Sequence, residues 1–330
     1  MPPFGARIVG TGSVVPERRL TNADLEKMVE TSDDWIIQRT GMRERRIAGP
    51  GDTTASLATE AARRALTDAH LTAQDIDLII VATLTPDMMT PSVACLVQAR
   101  LGILKHIGAF DLNAACSGFV YSLATASQFI QNGAFRTVLV IGAETLSRVV
   151  DYTDRNTCIL FGDGAGAALL TRDDDPRVGV QAFHLGANGE GAPLLNIPAG
   201  GSLHPASATT IAERMHYLKM NGREVYKFAV HQMTESLGSA MAACNLTADD
   251  VRLVVPHQVN QRIIDSATEK MGFPKEKVFI NIEKYGNTSA ASVAIALDEA
   301  RKSGRCGAGD WIIAVAFGAG VTWAAATIRL

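Results

Sequence analysis

The order of strand-like and helix-like segments constrains the fold of this chain more than any other feature, because it nearly repeats between the two halves. Four short apolar runs lack a helical period, at 76–82, 138–142, 253–256 and 311–316. Amphipathic stretches alternate with them, at 55–71, 117–132, 224–244 and 289–303. Apolar runs without a helical period are typical of strands buried on both faces. The alternation predicts an α/β protein with largely buried sheets.

Each half runs through the same elements. A strand precedes a helix, a second strand leads to a corner of small residues, a long helix follows, and two strands close the half. The second strand is predicted at 110–113 in the first half and at 278–282 in the second. The repeat divides the chain into two pseudo-symmetric halves, 1–175 and 176–330.

Candidate reactive residues lie at the small-residue corners. Cys116 lies at the corner of the first half and Asn287 at the corner of the second. If the halves are related by a pseudo-twofold axis, these two corners meet near that axis. His257 follows a neighbouring strand and would arrive beside them. The repeat therefore predicts one site built from a thiol, an imidazole and an amide.

Composition limits the function classes. Of 330 residues, 47% are hydrophobic and only 6% are aromatic, which predicts a core of small aliphatic side chains. The net charge of −3 argues against a nucleic-acid binder. No apolar run approaches the roughly 20 residues that span a bilayer, and residues 1–5 lack a signal pattern. Five scattered cysteines without a CxxC pair favour a reducing compartment. We expect a soluble, cytoplasmic protein.

Cys116 is the candidate nucleophile. It precedes a helix-like run, and a helix N-terminus stabilises a thiolate and lowers the pKa of the thiol. The small residues around it leave room for a substrate. The other cysteines are interpreted as structural, as most free cysteines are: Cys95, Cys158, Cys244 and Cys306.

His257 and Asn287 are the candidate partners of the thiol. Pro256 fixes the chain where a strand ends, so the imidazole of His257 can point out of the sheet edge. Gly286 and Asn287 are also ordinary turn residues, and only the association with Cys116 and His257 gives Asn287 a role. None of the histidines shows metal-ligand spacing with a third partner, so no metal is predicted.

Two glycine-rich segments are predicted to be turns. The segment 161–167 resembles a phosphate-binding loop, but a strand-like run follows it where a dinucleotide fingerprint requires a long helix. We therefore interpret it as a tight turn into a strand. The segment 317–323 is a similar turn, and it could direct backbone N–H groups at a developing oxyanion.

These segments resemble the motifs of one enzyme family along essentially the whole chain. Asn-Ala-Ala-Cys-Ser-Gly at 113–118, Pro-His-Gln-Val-Asn-Gln-Arg-Ile at 256–263 and Gly-Asn-Thr-Ser-Ala-Ala-Ser at 286–292 look like the three active-site motifs of β-ketoacyl-[acyl-carrier-protein] synthase III. This is the initiating condensing enzyme of bacterial type II fatty acid synthesis. The segments 31–41, 161–167 and 317–323 match the family too.

The resemblance implies a fold, a reaction and a set of partners. The fold is thiolase-like, with two βαβαβαββ halves forming a five-layer α-β-α-β-α core, usually in a homodimer. Acyl-CoA, typically acetyl-CoA, would acylate Cys116, and malonyl-ACP would then lose CO2. His257 and Asn287 would stabilise the resulting enolate, which attacks the acyl group to give 3-ketoacyl-ACP. No cofactor beyond the CoA thioesters is expected.

The resemblance also assigns binding residues. The backbone N–H groups of Cys116 and Ala319 would form the oxyanion hole. The CoA and pantetheine contacts would be Thr31, Trp35, Arg39, Arg155, Phe161, Gly222 and Asn260, with Trp35 and Arg155 enclosing the adenine. Lys227 and Arg262 would contact the acyl carrier protein.

One position departs from the family pattern, and it affects the choice of primer. Short-primer members often place an aromatic residue just before Pro91, where this chain has Thr90. A smaller residue there would open the acyl pocket to longer primers.

Particular residues separate this function from several others. A homologue of a specialised pathway that uses an unusual primer stays open. A thiolase would need a second cysteine at 317–320, and an elongating synthase a second histidine in place of Asn287. A Cys-His-Asn hydrolase lacks its expected signature around the cysteine, and an intact set of three residues disfavours a silent scaffold.

Overall fold

Burial on both faces determines which segments become strands. The computed structural model describes residues 2–330. The strands are β1 (Gly5–Val14), β2 (Arg19–Thr21), β3 (Glu44–Arg46), β4 (Leu78–Ala82), β5 (Gly108–Leu112), β6 (Thr137–Glu144), β7 (Gly164–Asp173), β8 (Gly179–Ala187), β9 (Leu195–Asn196), β10 (Lys219–Met220), β11 (Val251–Pro256), β12 (Trp311–Gly318) and β13 (Thr322–Arg329). Every residue of β4 and β6 is buried, as expected for apolar strands covered on both faces.

The helices begin at polar capping residues in most cases. They are α1 (Asn22–Leu25), α2 (Asp33–Thr40), α3 (Thr54–Asp68), α4 (Val93–Arg100), α5 (Gly118–Gln131), α6 (Arg155–Cys158), α7 (Ala208–Ala212), α8 (Gly222–Ala243), α9 (Gln261–Lys270), α10 (Ile282–Tyr285) and α11 (Ala291–Lys302). At the start of α3, Thr53 and Ser56 form a capping box, which satisfies backbone N–H groups that have no partner within the helix. The exceptions are α5, α10 and α11, whose first turns receive no side-chain cap.

The core strands form two groups with the same internal order. The first runs β5-β4-β6-β7-β1 and the second β11-β12-β13-β8. In both groups, the strand that opens the half pairs antiparallel with the strand that closes it (β1 with β7, β8 with β13). The predicted strand at 278–282 is reduced to an isolated bridge between Val254 and Val278, at the position that β5 occupies in the first group. Parallel pairing of β1 with β8 joins both groups into one sheet.

Helices cover both groups and fill the space between them. α3 and α4 pack on the outer face of the first group, and α8 and α9 on the outer face of the second. α5 and α11 lie between the groups, where their apolar side chains form one cluster with the inner faces of the strands. This is the five-layer α-β-α-β-α core that the resemblance implies. The division after residue 175 stays a prediction, because strand pairing continues across it.

The sequence expectations for individual elements are largely confirmed, with differences at the ends. Segment 161–167 leads into β7 and not into a helix, as expected. β1 and β8, the opening strands of both halves, were not anticipated. Within residues 2–330, no helix has both the length and the apolar character needed to cross a bilayer.

Close packing of α11 on the strands generates a test of the fold. A Cβ at Gly142 in β6 would lie 2.3 Å from the carbonyl oxygen of Ala290, directly before α11. We expect Gly142→Ala to reduce the free energy of unfolding by ~1–3 kcal/mol, the usual effect of overpacking, measured by urea denaturation. Gly307→Ala is the matched control, since no atom lies within 4 Å of its Cβ position. Equal stability of both variants would contradict this packing.

Candidate active site

Cys116 lies at a tight corner between β5 and α5. The turn Ala115–Ser117 leads directly into α5, and Ala115 has a φ of 48°, in the left-handed region. The side-chain oxygen of Asn113 accepts a hydrogen bond from the N–H of Ala115 at 3.2 Å. A non-glycine residue in this conformation is strained. The turn thereby places the thiol at the N-terminus of a long helix.

Burial dominates the electrostatics of the thiol. Cys116 is only 7% exposed, and burial raises its pKa to about 12. The hydroxyl of Ser289 and the N–H of Cys116 itself act in the opposite direction, while the charge of Glu144 raises the pKa further. The expectation that the helix N-terminus lowers this pKa is therefore wrong for the resting site, because desolvation of the thiolate outweighs the helix dipole.

His257 is wholly buried directly after β11. Its N–H donates to the carbonyl of Val315 at 2.7 Å, so the strand pairing continues through the histidine and fixes its backbone. The ring stands edge-on to Phe317, with centroids 5.8 Å apart. Burial lowers the pKa of His257 to about 3. The imidazole is therefore neutral at physiological pH.

Ser292 on α11 contacts Nδ1 of His257. Its hydroxyl oxygen lies 2.6 Å from Nδ1 of His257 and accepts a hydrogen bond from the N–H of Gln258 at 3.1 Å. Nδ1 is the only acceptor that the described chain offers the Ser292 hydroxyl hydrogen, and on this basis the ring hydrogen is assigned to Nε2. Nε2 is buried without a hydrogen-bond partner in the described chain. The site therefore contains an unused N–H donor, which is uncommon in a buried position.

Asn287 is held by its backbone and by one side of its amide. Its N–H donates to Leu160 at 2.9 Å, and its carbonyl accepts from Gly162 at 3.0 Å. The side-chain oxygen accepts from the N–H of Ser289 at 2.8 Å. Because the oxygen is occupied, the NH2 group is left to face the cavity as a second donor.

One apolar cavity joins the three residues, and we call it the thiol cavity. Cys116, His257 and Asn287 all line it. Its remaining walls are mostly apolar: Leu160, Phe161, Leu194, Leu195, Met220, Val225, Phe228, Val259, Phe317, Gly318, Ala319 and Val321. An apolar wall keeps water out, so hydrogen bonds made inside the cavity act at low dielectric.

The turn after β12 packs closely against the backbone of Cys116. A Cβ at Gly318 would lie 2.6 Å from the backbone nitrogen of Cys116, so any side chain would displace the corner or cover its N–H group. Ala319 follows and lines the thiol cavity. The backbone of Cys116 and that of Ala319 therefore border the same space, as an oxyanion hole requires.

A second, wider groove adjoins the thiol cavity, and we call it the entrance groove. Leu160 and Met220 line both. The other residues of the groove are Trp35, Arg39, Thr40, Asn156, Ile159, Asn221, Gly222, Arg223, Tyr226, Lys227, Asn260 and Arg262. Four cationic side chains in one groove attract an anionic ligand despite the overall net charge of −3.

Trp35 lines the entrance groove and is contacted by two guanidinium groups. Arg39 lies 4.7 Å and Arg155 5.2 Å from the centre of its ring. Asn260 caps α9 and donates to the carbonyl of Arg39 at 2.9 Å, which joins α2 to α9. A flat aromatic face beside fixed cations is suited to a planar, negatively charged ligand.

Three predicted residues line neither space: Thr31, Thr90 and Arg155, whose guanidinium contacts the ring of Trp35 from outside the entrance groove. The hydroxyl of Thr31 is buried without a hydrogen-bond partner in residues 2–330 and does not line the entrance groove. Thr90 is exposed on the loop before α4 and does not line the thiol cavity within this chain. Their assigned roles stay predictions.

Four residues near the site were missed by the sequence analysis: Glu144, Ser289, Ser292 and Arg223. The available signal for Ser292 was its place in the first turn of the helix that follows Asn287; Ser289 precedes that helix, with a φ of 49°. Across residues 2–330, no group of three or more potential ligands is arranged to hold a metal ion.

The two-half fold and the buried thiol cavity together define a condensing acyltransferase. Models of the family 3-oxoacyl-[acyl-carrier-protein (ACP)] synthase III match residues 110–189 and, for its C-terminal part, 241–330. β-Ketoacyl-[acyl-carrier-protein] synthase III of Caldanaerobacter subterraneus is 55% identical over 99% of this chain and 98% of its own. The chain therefore belongs to the β-ketoacyl-[acyl-carrier-protein] synthase III family, whose condensation initiates type II fatty acid synthesis.

Solved structures agree with this assignment. The synthase III of Aquifex aeolicus superposes with a TM-score of 0.91 at 48% identity, covering 99% of this chain and 100% of that one. The priming β-ketosynthase of the R1128 polyketide pathway superposes with a TM-score of 0.92 at 35% identity, covering 100% and 98%. The thiolase-like fold expected from the sequence is confirmed.

The position of Ser292 generates a prediction about His257. Ser292→Ala removes the donor to Nδ1 and leaves a buried ring nitrogen unpaired, at a cost of about 1–3 kcal/mol. We expect malonyl decarboxylation to fall ~10- to 100-fold, measured as release of labelled CO2. Ser127→Ala is the control, since this buried serine bonds only within α5. Decarboxylation at the wild-type rate in Ser292→Ala would exclude this role.

Proposed function

We propose that this enzyme transfers an acyl group from acyl-CoA to Cys116 and then condenses it with malonyl-ACP. The observation that carries the proposal is that a thiol and two hydrogen-bond donors without protein partners, His257 Nε2 and the Asn287 amide, share one apolar cavity. The proposed products are 3-ketoacyl-ACP, CO2 and CoA. No cofactor beyond the thioester substrates takes part.

Acylation uses the corner at Cys116. The sulfur attacks the thioester carbonyl, and the N–H groups of Cys116 and Ala319 stabilise the oxyanion. CoA is bound in the entrance groove, with its adenine between Trp35 and Arg155 and its phosphates near Arg39. Its pantetheine arm passes Asn260, Gly222 and Phe161 towards the thiol cavity. Thr31 is proposed as a further CoA contact.

Condensation uses His257 and Asn287. Both donate hydrogen bonds to the thioester oxygen of malonyl-ACP, and this oxygen gains negative charge as CO2 leaves. Two preorganised donors in a dry cavity stabilise such an enolate strongly. The carbanion attacks the acyl carbon on Cys116, and the tetrahedral adduct expels the sulfur. Because His257 is neutral, it can donate without adding a buried positive charge.

The acyl carrier protein is proposed to dock at the rim of the entrance groove. Lys227 is exposed on α8. On the neighbouring helix α9, the guanidinium of Arg262 lies 5.7 Å from the centre of the Tyr226 ring. Acidic groups of the carrier would pair with these cations and bring its pantetheine arm to the same opening that CoA uses. Complementary charges of this kind act mainly on the association rate.

A second copy of the chain is proposed to complete the acyl pocket. Thr90 follows Met88 and Met89, which are 47% and 86% exposed, and exposed apolar side chains favour an interface. At that interface, the small side chain of Thr90 would leave space for a longer primer. We further propose a cytoplasmic enzyme, which the five free cysteines of the described chain support.

The two half-reactions separate the roles of Cys116 and Asn287. Cys116→Ser should abolish the thioester adduct, because its hydroxyl is a far weaker nucleophile. Asn287→Ala should keep acylation but reduce malonyl decarboxylation ~10²-fold or more, the usual loss for one oxyanion donor. Intact-protein mass spectrometry with acetyl-, octanoyl- and lauroyl-CoA measures the adduct.

The outcomes of this experiment are distinct. An undiminished adduct in Cys116→Ser would exclude Cys116 as the nucleophile. Unchanged condensation in Asn287→Ala would remove its role. Acylation by acetyl-CoA alone would contradict the proposed longer primer, while leaving the reaction itself in place.

Charge reversal tests the docking site of the carrier protein. The double variant Lys227→Glu, Arg262→Glu should raise KM for malonyl-ACP about tenfold and weaken its dependence on ionic strength. The rate of Cys116 acylation at saturating acetyl-CoA should change much less. Arg63→Glu on α3, in the opposite outer layer, is the matched control. Equal effects of both changes on malonyl-ACP would contradict docking at the entrance groove.

A further inference from the structure

Gln258 is a buried residue directly after His257 that the proposed reaction does not use. It lies outside the walls of the thiol cavity, so its amide does not touch a substrate there. Nε2 donates to the carbonyl of Pro256 at 2.9 Å and to that of Phe279 at 3.0 Å, and Oε1 accepts from the N–H of Asn281 at 3.0 Å. Both hydrogens of the amide are therefore used by the backbone, and its oxygen accepts one bond in return.

These bonds follow the pattern of a parallel strand ladder. In such a ladder, every second residue of one strand donates to a carbonyl of its neighbour and accepts from an N–H two residues further on. Val254 on β11 pairs with Val278, and its carbonyl accepts from the N–H of Phe279 at 2.9 Å. The next ladder position on β11 is Pro256. A complete ladder would join Pro256 to the carbonyl of Phe279 and to the N–H of Asn281.

Pro256 lacks the donor that this ladder position requires, because proline has no backbone N–H. The side-chain amide of Gln258 makes both bonds in its place, and its second hydrogen is donated to the carbonyl of Pro256. The amide thus extends the pairing beyond Val254. This also explains why the predicted strand at 278–282 is limited to one bridge, since its next partner is a side chain and not a strand.

The amide of Gln258 connects the two segments that carry the proposed enolate donors. On one side, Pro256 leads directly to His257. On the other side, Asn281 precedes α10, a single helical turn that is followed after one glycine by Asn287. The hydrogen bonds of one side chain therefore fix the beginning of one donor segment against the beginning of the other.

Helix α11 holds the same segments through further hydrogen bonds. Oε2 of Glu299 accepts from the side-chain amide of Asn281 at 3.1 Å, and Oε1 accepts from the hydroxyl of Tyr285 at 2.5 Å. The hydroxyl oxygen of Ser292, on the same helix, accepts from the N–H of Gln258 at 3.1 Å. Both ends of α10 are therefore fixed, and Gln258 links them to the strand that carries the histidine.

We infer that Gln258 is a positioning residue, which sets the imidazole of His257 and the amide of Asn287 at the separation where both reach one thioester oxygen. This inference rests on the proposed function. Two donors stabilise the same enolate oxygen only when each lies ~2.7–3.1 Å from it. A displacement of about 1 Å in such an arrangement can lower the rate ~10²-fold.

The two half-reactions depend on Gln258 to different degrees. The corner at Cys116 is built between β5 and α5, whereas the hydrogen bonds of Gln258 given above all stay within the second half of the chain. Acylation uses the N–H groups of Cys116 and Ala319, so it should be nearly independent of Gln258. Decarboxylation uses His257 and Asn287 together, so it should be sensitive to their relative position.

Three variants test this positioning role. Gln258→Met keeps the length of the side chain and removes its three hydrogen bonds. Gln258→Glu carries the test if Gln258→Met does not fold, because it keeps the acceptor for the N–H of Asn281 and, when ionised, loses both donated bonds. Gln131→Met is the matched control, since Gln131 is another buried glutamine whose Nε2 donates to a backbone carbonyl, that of Val180 at 2.8 Å. It lies at the opposite end of α5 from Cys116.

Four quantities are measured for each variant. They are kcat and KM for malonyl-ACP decarboxylation, the rate of Cys116 acylation at saturating acetyl-CoA, and the stability to urea. The split between kcat and KM matters because the two donors act on charge that develops in the transition state.

The expected result is a selective loss of decarboxylation. Gln258→Met should lower its kcat ~10- to 100-fold, while KM for malonyl-ACP and the acylation rate stay within about threefold of wild type. Gln258→Glu should lower the same kcat about threefold or more. Gln131→Met should keep both half-reactions, even if it loses as much stability to urea as Gln258→Met. A wild-type kcat in the folded Gln258 variants would overturn the inference, and so would an equal loss of both half-reactions.

Hydrogen exchange separates failure of this inference from failure of the proposed function. If wild-type protein forms no acyl adduct and decarboxylates no malonyl-ACP, the proposed function falls. Exchange of the backbone amides at 278–287, measured by mass spectrometry, still tests the positioning role, since it requires no substrate. Gln258→Met should raise exchange in this segment ~tenfold or more and leave the segment 110–118 around Cys116 unchanged. Unchanged exchange at 278–287, or an equal increase in both segments, would overturn the inference on its own.

Discussion

The burial of α5 and α11 between two sheets is the constraint on which the rest of this structure depends. Both helices are surrounded by other elements, so most of their side chains are small or apolar and the strands pack closely against them. Gly142 in β6 has no room for a Cβ against the residue before α11. Because the halves repeat, the N-termini of both helices reach the same end of the core. The thiol cavity is the space between these two helix starts.

The same burial sets the protonation state of every group in the site. The apolar walls that complete the core keep His257 neutral and Cys116 protonated, and they bring the pKa of Glu144 close to neutrality. These directions all follow from the cost of desolvating a charge. A buried thiol therefore needs a nearby acceptor for its proton, whereas a buried neutral imidazole is already the donor that an enolate requires. The exclusion of water therefore favours the condensation half-reaction. In the acylation half-reaction it creates the need for an acceptor of the thiol proton.

Sequence reasoning succeeded where local pattern and burial agree. The long apolar runs became strands and the amphipathic stretches became helices, because burial on both faces or on one stripe shows directly in the residue pattern. It failed at 278–282, where an apolar run at the edge of the sheet forms a single bridge, and at the opening strands β1 and β8. Whether such a segment forms a strand depends on which neighbouring strand is present to pair with it. The residue pattern of the segment alone does not contain that information.

The sequence by itself determined the architecture and the family, since periodicity, the repeat and three motifs in fixed order are properties of the chain alone. It also identified the residues now found at the thiol cavity, although their individual roles await the experiments above. Only the tertiary structure decided their chemical state. The helix N-terminus predicted a lowered thiol pKa, but burial reversed it, because desolvation depends on everything packed around the sulfur. In the same way, Ser292, Ser289 and Glu144 come from segments that are far apart in sequence. These segments meet only when the two halves pack together.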